Sequence, residues 1–521
     1  MAVIEVPDTV ANAATRFPER TAVVAGDRSL TFADVHDRAA RLAGAWRAAG
    51  LEPGDRVALL AQNEAEYLEI QVAAQRAELI LVPVNHRLSV PEIVYIVGDS
   101  GPKLLLHGPG CAAKAEAIGL PNWHLGHDGH GESYEEQIAS AEPYDSSFLA
   151  PERIASILYT SGTTGRPKGA VITNASLWAR INSFVAEYSL RPGDVLVQAL
   201  PMFHIASNVT YSFAYMGGTN IMVPSYSPEL VLRLIEEHGA THVLLVPTLI
   251  NQLANHPAIG STDLRTLREI QYGGSTISPQ VLHRAMGVFR CRFIQTYGST
   301  EIGVATALRG DDHDPVEHVD LLGSAGTDAV SMVTRIADPF GQEAEVGQVG
   351  EVLVRGPGLM SGYWNNPSAT AEAIHDGWMH TGDLGYRSPA GYLYIVDRLK
   401  DLIISGGENV YPREVEDVLY EHPAVREVSV IGLPDPQWGE RVHACVTVHP
   451  AEQATGGELR EFCQARLAGY KVPKTFSFLP ELPKNAGGKI LKRKLRAAVA
   501  SAVEASSEHD RVVPANERAG Q

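Results

Sequence analysis

This 521-residue chain has only four cysteines, Cys111, Cys291, Cys445 and Cys463, far apart and without a CxxC pair. That spacing indicates neither a disulfide framework nor a zinc site, and it suits a reducing compartment. Basic residues are also scarce: 43 Lys and Arg against 61 Asp and Glu give a formal net charge of -18. Bulk binding to nucleic acid or to an anionic membrane needs a broad basic face, which this balance argues against. No apolar run reaches the roughly 18 residues of a spanning helix, and the start, MAVIEVPDTV, has neither the basic segment nor the apolar run of a secretion signal. The expectation is a soluble cytoplasmic protein with no nucleic-acid partner and no transmembrane segment.

With 45% hydrophobic and 20% charged residues, the composition is that of an ordinary globular protein with room for two or more domains. Amphipathic and β-branched stretches alternate. TFADVHDRAARLAGAWRAAG reads as a helix capped by Thr31, DRVALLAQN as a strand, EAEYLEIQVAAQRAEL as a helix and LILVPVN as a strand. VLVQALP, TNIMVPS, THVLLVP and REIQYGG continue the rhythm, each ending near a turn cluster. This predicts an α/β fold with largely parallel sheets, and ligand chemistry beyond the carboxyl ends of the strands. After Gly341, short strands broken by glycine predict a more antiparallel, β-rich subdomain. A small α+β domain follows, with helices in REVEDVLYEH and GELREFCQARLA and strands in EVSVIGL and RVHACVTV. Residues 1–399, 400–500 and 501–521 are thus expected to form a large N-terminal domain, a small mobile C-terminal domain and a disordered tail.

YTSGTTGRPKG, Tyr159 to Gly169, carries the most chemistry. Backbone amides of such a loop can turn toward one anion, its hydroxyls add donors, and Lys168 supplies a full charge. A Walker loop would need Ser or Thr after its lysine to ligate magnesium, and here Gly169 follows Lys168. A plain flexible surface loop leaves the dense packing of Thr, Ser and one Lys behind a strand-like run unexplained.

Together with PMFH, YGSTE, HTGD, DRLKD, SGGENVYP and PKNAGGK in that order, this loop resembles the adenylate-forming superfamily of acyl-CoA synthetases, aryl-CoA ligases, peptide-synthetase adenylation domains and firefly luciferase. The likeness runs from about Thr31 to Arg496. It implies ATP, Mg2+ and coenzyme A as ligands and a carboxylic acid as substrate, and it is compatible with a homodimer. Thr160, Ser161, Gly162, Thr163, Thr164, Gly165 and Lys168 would hold the β- and γ-phosphates. Thr300 would donate to the α-phosphate and Glu301 would ligate magnesium, against the bland reading of Glu301 as a helix-start acid. Gly273, Gly274 and Ser275 with Tyr297 and Gly298 would form the adenine slot, and Asp383 with Arg398 would hold the ribose, although each string alone reads as a turn.

Lys489 would stabilise the adenylation transition state; Gly487–Gly488 stands where many relatives have Thr before Gly-Lys. Lys400 matches the hinge between two orientations of the small domain. Gly406 and Gly407 would admit the pantetheine arm, and Trp438, Tyr470 and Lys474 would touch the CoA nucleotide, with buried aromatic core an equal account of Trp438 and Tyr470. His204 stands where amino-acid-activating relatives place an aspartate, so an acid without an α-amino group is implied, with a packed histidine as the plain alternative. Small or apolar Ala206, Val246, Pro247 and Gly274 suit a medium- or long-chain fatty acid or an aryl acid, and the resemblance of DRLKDLIISGGENVYP and IGLPDPQWGE to bacterial fatty-acyl-CoA synthetases favours the fatty acid. A ligase for carrier proteins, a luciferase-like oxygenase and a nucleotide-binding switch without turnover are the rivals.

Overall fold

The computed structural model describes residues 6–126, 131–146, 148–160, 166–275, 277, 279–449, 452–484 and 490–499. Contacts divide the chain into two compact units. The first comprises Met1–Gln348, Val352–Thr381 and Arg387–Tyr394; the second comprises Val349–Glu351, Gly382–Tyr386 and Ile395–Gln521.

Two mixed sheets build the first unit. An eight-stranded sheet runs in space Gly362–Tyr363, Lys168–Thr173, Ile154–Thr160, Ile80–Pro83, Arg56–Leu60, Leu104–His107, Asn122–His124, Glu132–Ser133. A nine-stranded sheet runs Thr327–Asp328, Gly303–Leu308, Arg292–Ser299, Glu269–Gly273, His242–Leu245, Val195–Gln198, Thr219–Met222, Thr21–Ala25, Arg28–Thr31. The interior strands pair in parallel, as expected for runs joined through helices, while hairpin partners at the edges pair antiparallel.

Local sequence sets the helices between them. Phe32–Ala48 opens on a reciprocal capping box, in which the Thr31 hydroxyl accepts from the Asp34 amide and the Asp34 carboxylate accepts from the Thr31 amide. Val35, Ala39, Leu42, Ala43 and Trp46 form its buried stripe. Between the strands Glu269–Gly273, His242–Leu245 and Val195–Gln198 and the helices on one face lies an apolar core containing Val197, Val243, Leu245, Ile270, Tyr272 and Phe293.

Asn63 ties the two sheets together. Its amide nitrogen donates to the carbonyls of Leu200 (2.9 Å) and Val223 (3.0 Å), and its oxygen accepts from the Met202 amide (2.9 Å). Asn63 follows the carboxyl end of Arg56–Leu60, while Leu200 and Val223 follow the carboxyl ends of Val195–Gln198 and Thr219–Met222. Strand ends from both sheets are thus joined where ligand chemistry is expected in open α/β sheets.

The second unit has its own sheet, ordered Glu408–Val410, Ile403–Ser405, Gly439–Val448, Val425–Asp435, with Thr475–Phe478 parallel to Gly439–Val448. Pro412–Tyr420 and Gly456–Gln464 supply its helices, the second opened by a Thr455–Glu458 capping box. Its core gathers Ile403, Val415, Leu419, Val430, Ala444, Val446 and Leu459. The expected tail, residues 501–521, lies outside the described residues.

One ion pair anchors the start of the described chain. Arg76 Nε lies 2.8 Å from Asp8 Oδ2 with both side chains fully buried, and Asp8 Oδ1 accepts from the amides of Val10 and Ala11. Arg76 also lies 3.5 Å from half-exposed Asp145, so removing Asp8 leaves a buried charge only weakly compensated, against the about 3–5 kcal/mol lost when a buried pair is broken outright. Asp8→Ala is expected to lower the thermal unfolding midpoint of the first unit clearly. Asp263→Ala, which removes an ion pair to the exposed Arg265, should leave that midpoint unchanged. Calorimetry of the two variants distinguishes these outcomes.

Candidate active site

The phosphate-loop motif begins and ends on paired strands. Ile154–Thr160 and Lys168–Thr173 are antiparallel neighbours, and Thr160 lies directly opposite Lys168. The chain leaves and re-enters the sheet at one point, so the loop has fixed anchors. Ser161, Gly162, Thr163, Thr164 and Gly165 lie outside the described residues, as does Lys489. A partly buried hydrogen bond from Tyr159 to Asp99 (2.5 Å) supports the strand behind the loop.

Glu301 sits among hydroxyl donors from three segments. Its carboxylate accepts from Ser299 Oγ (2.9 Å), Tyr363 OH (3.2 Å) and Thr160 Oγ1 (3.3 Å). The Glu301 carbonyl accepts from the Met360 amide (2.8 Å), which docks its turn onto residues 356–361. Lys168 Nζ lies 5.1 Å from the centre of the Tyr363 ring. Burial, and then the neighbouring Glu301 charge, push the Tyr363 phenol up, so it stays a neutral donor.

No Lys, Arg or His forms an ion pair with Glu301 among the described residues. Neutral donors orient the carboxylate and leave its charge for a cation. Among those residues no group of three or more His, Cys, Asp or Glu gathers to hold a metal alone. One carboxylate beside a phosphate loop fits the mode in which Mg2+ is shared with substrate phosphates.

Thr300 precedes Glu301, and its carbonyl accepts from buried Arg180 (3.0 Å). Gly273 lies beside Thr296 in the next strand, where a β-carbon would stand 2.5 Å from the Thr296 carbonyl oxygen, so strand packing alone requires glycine there. Gly274 and Ser275 follow as an exposed bend, and Tyr297 and Gly298 continue the strand beyond Thr296.

His204 is half-buried at the start of the turn before the helix Ala206–Met216, edge-on to Phe203 (ring centres 4.5 Å apart). Phe203 is in turn edge-on to His86. Loss of solvation, with a smaller contribution from Arg87, pushes His204 down to about 4, so it is neutral at physiological pH.

In the second unit Asp383 is buried, and its Oδ1 lies 2.6 Å from Arg398 Nε, so the expected partners meet. Lys400 is exposed in the short turn Leu399–Asp401, beside Asp401, which pairs with Arg496 at 2.9 Å. Gly406 and Gly407, both at positive φ, make the two-residue turn between Ile403–Ser405 and Glu408–Val410.

Trp438 is 43% and Tyr470 38% exposed, which overturns the buried-core account of these two aromatics. The Trp438 ring stands against Gly406, and Trp438 O accepts from the Gly406 amide. Lys474 donates to the Gly469 carbonyl (3.2 Å). Val472, where some relatives carry arginine, is core.

Asn63, Arg180 and Tyr363 were not singled out in the sequence. Tyr363 lies in SGYW and Asn63 in AQNEAEY, strings without a chemical signature of their own; only long-range pairing brings them to the site.

Paired strands that bracket the YTSGTTGRPKG motif, with the Glu301 carboxylate held by neutral hydroxyls beside them, fit the site geometry of a nucleotide-handling α/β enzyme. Residues 10–364 match the AMP-binding enzyme family, and residues 414–489 match the AMP-binding enzyme C-terminal domain. A feruloyl-CoA synthase from an Amycolatopsis species is 40% identical over 482 residues, covering 92% of this chain and 96% of that protein. The fatty acid–[acyl-carrier-protein] ligase ScoC of Streptomyces coeruleorubidus is 38% identical, covering 92% and 93%. The Bacillus subtilis o-succinylbenzoate CoA synthetase MenE, solved with its acyl-adenylate intermediate, superposes with a TM-score of 0.85 at 32% identity, covering 95% of this chain and 98% of that one. The chain belongs to the AMP-binding enzyme family, within the adenylate-forming acyl- and aryl-CoA ligases.

A histidine whose pKa is lower in the folded than in the unfolded chain stabilises the fold fully above the unfolded value near 6.5, and that contribution is lost as pH falls toward about 4. His204→Asn is expected to flatten the fall in melting temperature between pH 6.5 and 4 relative to wild type. Melting curves across that range check it. In the same unit, Glu301→Gln keeps the acceptor shape but removes the charge, and it is expected to lower acid-dependent ATP–pyrophosphate exchange at least 100-fold.

Proposed function

We propose that this enzyme activates a carboxylic acid with ATP and Mg2+ and passes the acyl group to coenzyme A. In the first step a carboxylate oxygen attacks the α-phosphorus, the bond to pyrophosphate breaks, and acyl-AMP forms. In the second the CoA sulfur attacks the acyl carbon, the bond to AMP breaks, and the thiol proton leaves to solvent. The observation that carries this reading is Glu301, oriented by neutral hydroxyls next to the paired strands that anchor residues 161–165.

The roles divide between the units. Lys168, Thr160 and residues 161–165 hold the terminal phosphates, Thr300 meets the α-phosphate and Glu301 takes Mg2+. Gly273, Gly274, Ser275, Tyr297 and Gly298 flank adenine. Asp383, already paired with Arg398, accepts from the ribose hydroxyls. Lys489 serves adenylation, Lys400 the hinge, and exposed Trp438 and Tyr470, with Gly406, Gly407 and Lys474, the CoA path.

An aryl acid with a polar ring substituent is the substrate class we favour. Gln198, Leu244, Gln271 and Ile294 lie side by side across the nine-stranded sheet, and Gln198 bonds Thr210 and the Ala206 carbonyl of the helix after His204. This face carries polar side chains, whereas the opposite face carries Ile270 and Tyr272 in the apolar core. Gln271 Oε1 is buried without a hydrogen-bond partner, and such a group discriminates strongly for a ligand that satisfies it. The likeness to feruloyl-CoA synthase points the same way. The second reading is a medium- or long-chain fatty acid, favoured by small or apolar Ala206, Val246, Pro247 and Gly274 and by the likeness to ScoC, which also keeps a carrier protein in view as acceptor.

Pyrophosphate exchange measured with hydroxycinnamates, cinnamate and a fatty-acid series tests both. Hydroxylated aryl acids are expected to exceed cinnamate at least tenfold in kcat/KM, and Gln271→Leu should narrow that ratio. Exchange greatest with a fatty acid favours the second reading, and exchange with no acid removes the enzyme reading altogether. Lys489→Ala should cripple adenylation while thioester formation from supplied acyl-AMP continues; equal loss in both steps contradicts the division of roles.

A further inference from the structure

Arg180 is an unusual place for a charge. It lies within the helix Asn174–Glu187, is 1% exposed, and faces backbone carbonyls instead of a carboxylate. Its Nε donates to the Gly358 carbonyl (2.8 Å) and one terminal nitrogen to the Thr300 carbonyl (3.0 Å). The side chain thereby fastens two segments far apart in sequence: the turn bearing Thr300 and Glu301, and residues 356–360. Glu301 bonds back to the second through the Met360 amide, so the turn is held on both sides.

Room for the guanidinium stem comes from Gly303. At φ +70°, this residue brings its α-carbon so close that an added β-carbon would stand 3.1 Å from Arg180 Cγ. Burial pulls the guanidinium down to about 10, against a smaller opposing pull from Glu301, so it remains charged at neutral pH. A charge this deeply buried is costly unless its donors are met, and two of its nitrogens meet carbonyls of the segments it joins.

The third nitrogen supplies a further clue. Arg180 Nη1 and Ser183 Oγ are both buried without a hydrogen-bond partner, and both residues line one small cavity with Val304, Met332 and Gly358. The cavity is small and its lining is mainly apolar, so these two polar atoms stand out in it.

We propose that Arg180 is the positioning residue of the nucleotide side of the site, fixing the Thr300–Glu301 turn from beneath while its buried charge lowers the cost of gathering anions above it. It touches neither substrate, and acts through the Thr300 carbonyl and the Glu301 main chain. This rests on the adenylation reading above.

The test compares Arg180→Met, which keeps length and loses charge and donors, with Arg180→Lys, which keeps charge and loses the fork. Kinetics use ATP and the best acid found for the wild-type enzyme. Arg180→Met is expected to lower kcat/KM for ATP 10- to 100-fold while KM for the acid stays within twofold, and Arg180→Lys to recover at least part of the loss. Arg180→Met with ATP parameters within twofold of wild type overturns the proposal. So does a variant whose ATP and acid parameters deteriorate alike, since that is the mark of a purely structural role. Should Arg180→Met fail to fold, the same split measured on Arg180→Lys decides: a loss confined to ATP supports the proposal, and unchanged or parallel parameters overturn it. Wild-type enzyme without exchange on any acid would instead defeat the adenylation reading, so the two failures are distinct.

Discussion

The first unit depends on a carboxylate that is oriented without being neutralised. Glu301 accepts from the hydroxyls of Thr160, Ser299 and Tyr363, and the nearby cations are engaged elsewhere: Lys168 over the Tyr363 ring, Arg180 with two carbonyls. Had either cation met the carboxylate directly, the pair would be self-satisfied and little negative potential would remain for a metal ion. Neutral donors fix direction at small electrostatic cost. The separation of orienting from neutralising groups is the feature on which the proposed magnesium-bound polyphosphate site rests.

This arrangement needs rigid supports, and the sheets provide them. Thr160 and Lys168 are opposite partners in one hairpin, Glu301 lies two residues beyond the end of a strand in the other sheet, and Tyr363 lies in a short edge strand beside Lys168–Thr173. Strand pairing therefore sets the distances among the donors, and Asn63 keeps the carboxyl ends of both sheets in register. The second unit carries its own preformed pair, Asp383 with Arg398, and displays Trp438 and Tyr470 to solvent. Exposed aromatic faces of that kind suit a planar nucleotide base better than they suit a core.

Much of the fold was legible because its signals are local. The Thr31 cap with Asp34, the apolar stripe of Phe32–Ala48 and the β-branched runs of the parallel strands are each set within a few residues. The ordered motifs placed Glu301, Asp383 and Arg398 in view for the same reason. Asn63, Arg180 and Tyr363 stayed hidden: the bond from Asn63 to Val223 spans 160 residues, and that from Arg180 to Gly358 spans 178. Nothing in a stretch such as NASLWARINSF says that its arginine will be buried under a turn 120 residues away. Ala206, Val246, Pro247 and Gly274 suggested an apolar acid pocket, and which residues join them depends on strand placement, since the alternation in QYGG sends Gln271 and Tyr272 to opposite faces of one strand.

The amide stitch at Asn63 has a bearing on recombination. Any hybrid that takes its early strands from one parent and its later ones from another inherits half of a three-way backbone contact from each. An Asn at that single position, with all three main-chain partners keeping their spacing, is then the first compatibility criterion for choosing crossover points, ahead of overall resemblance between the parents.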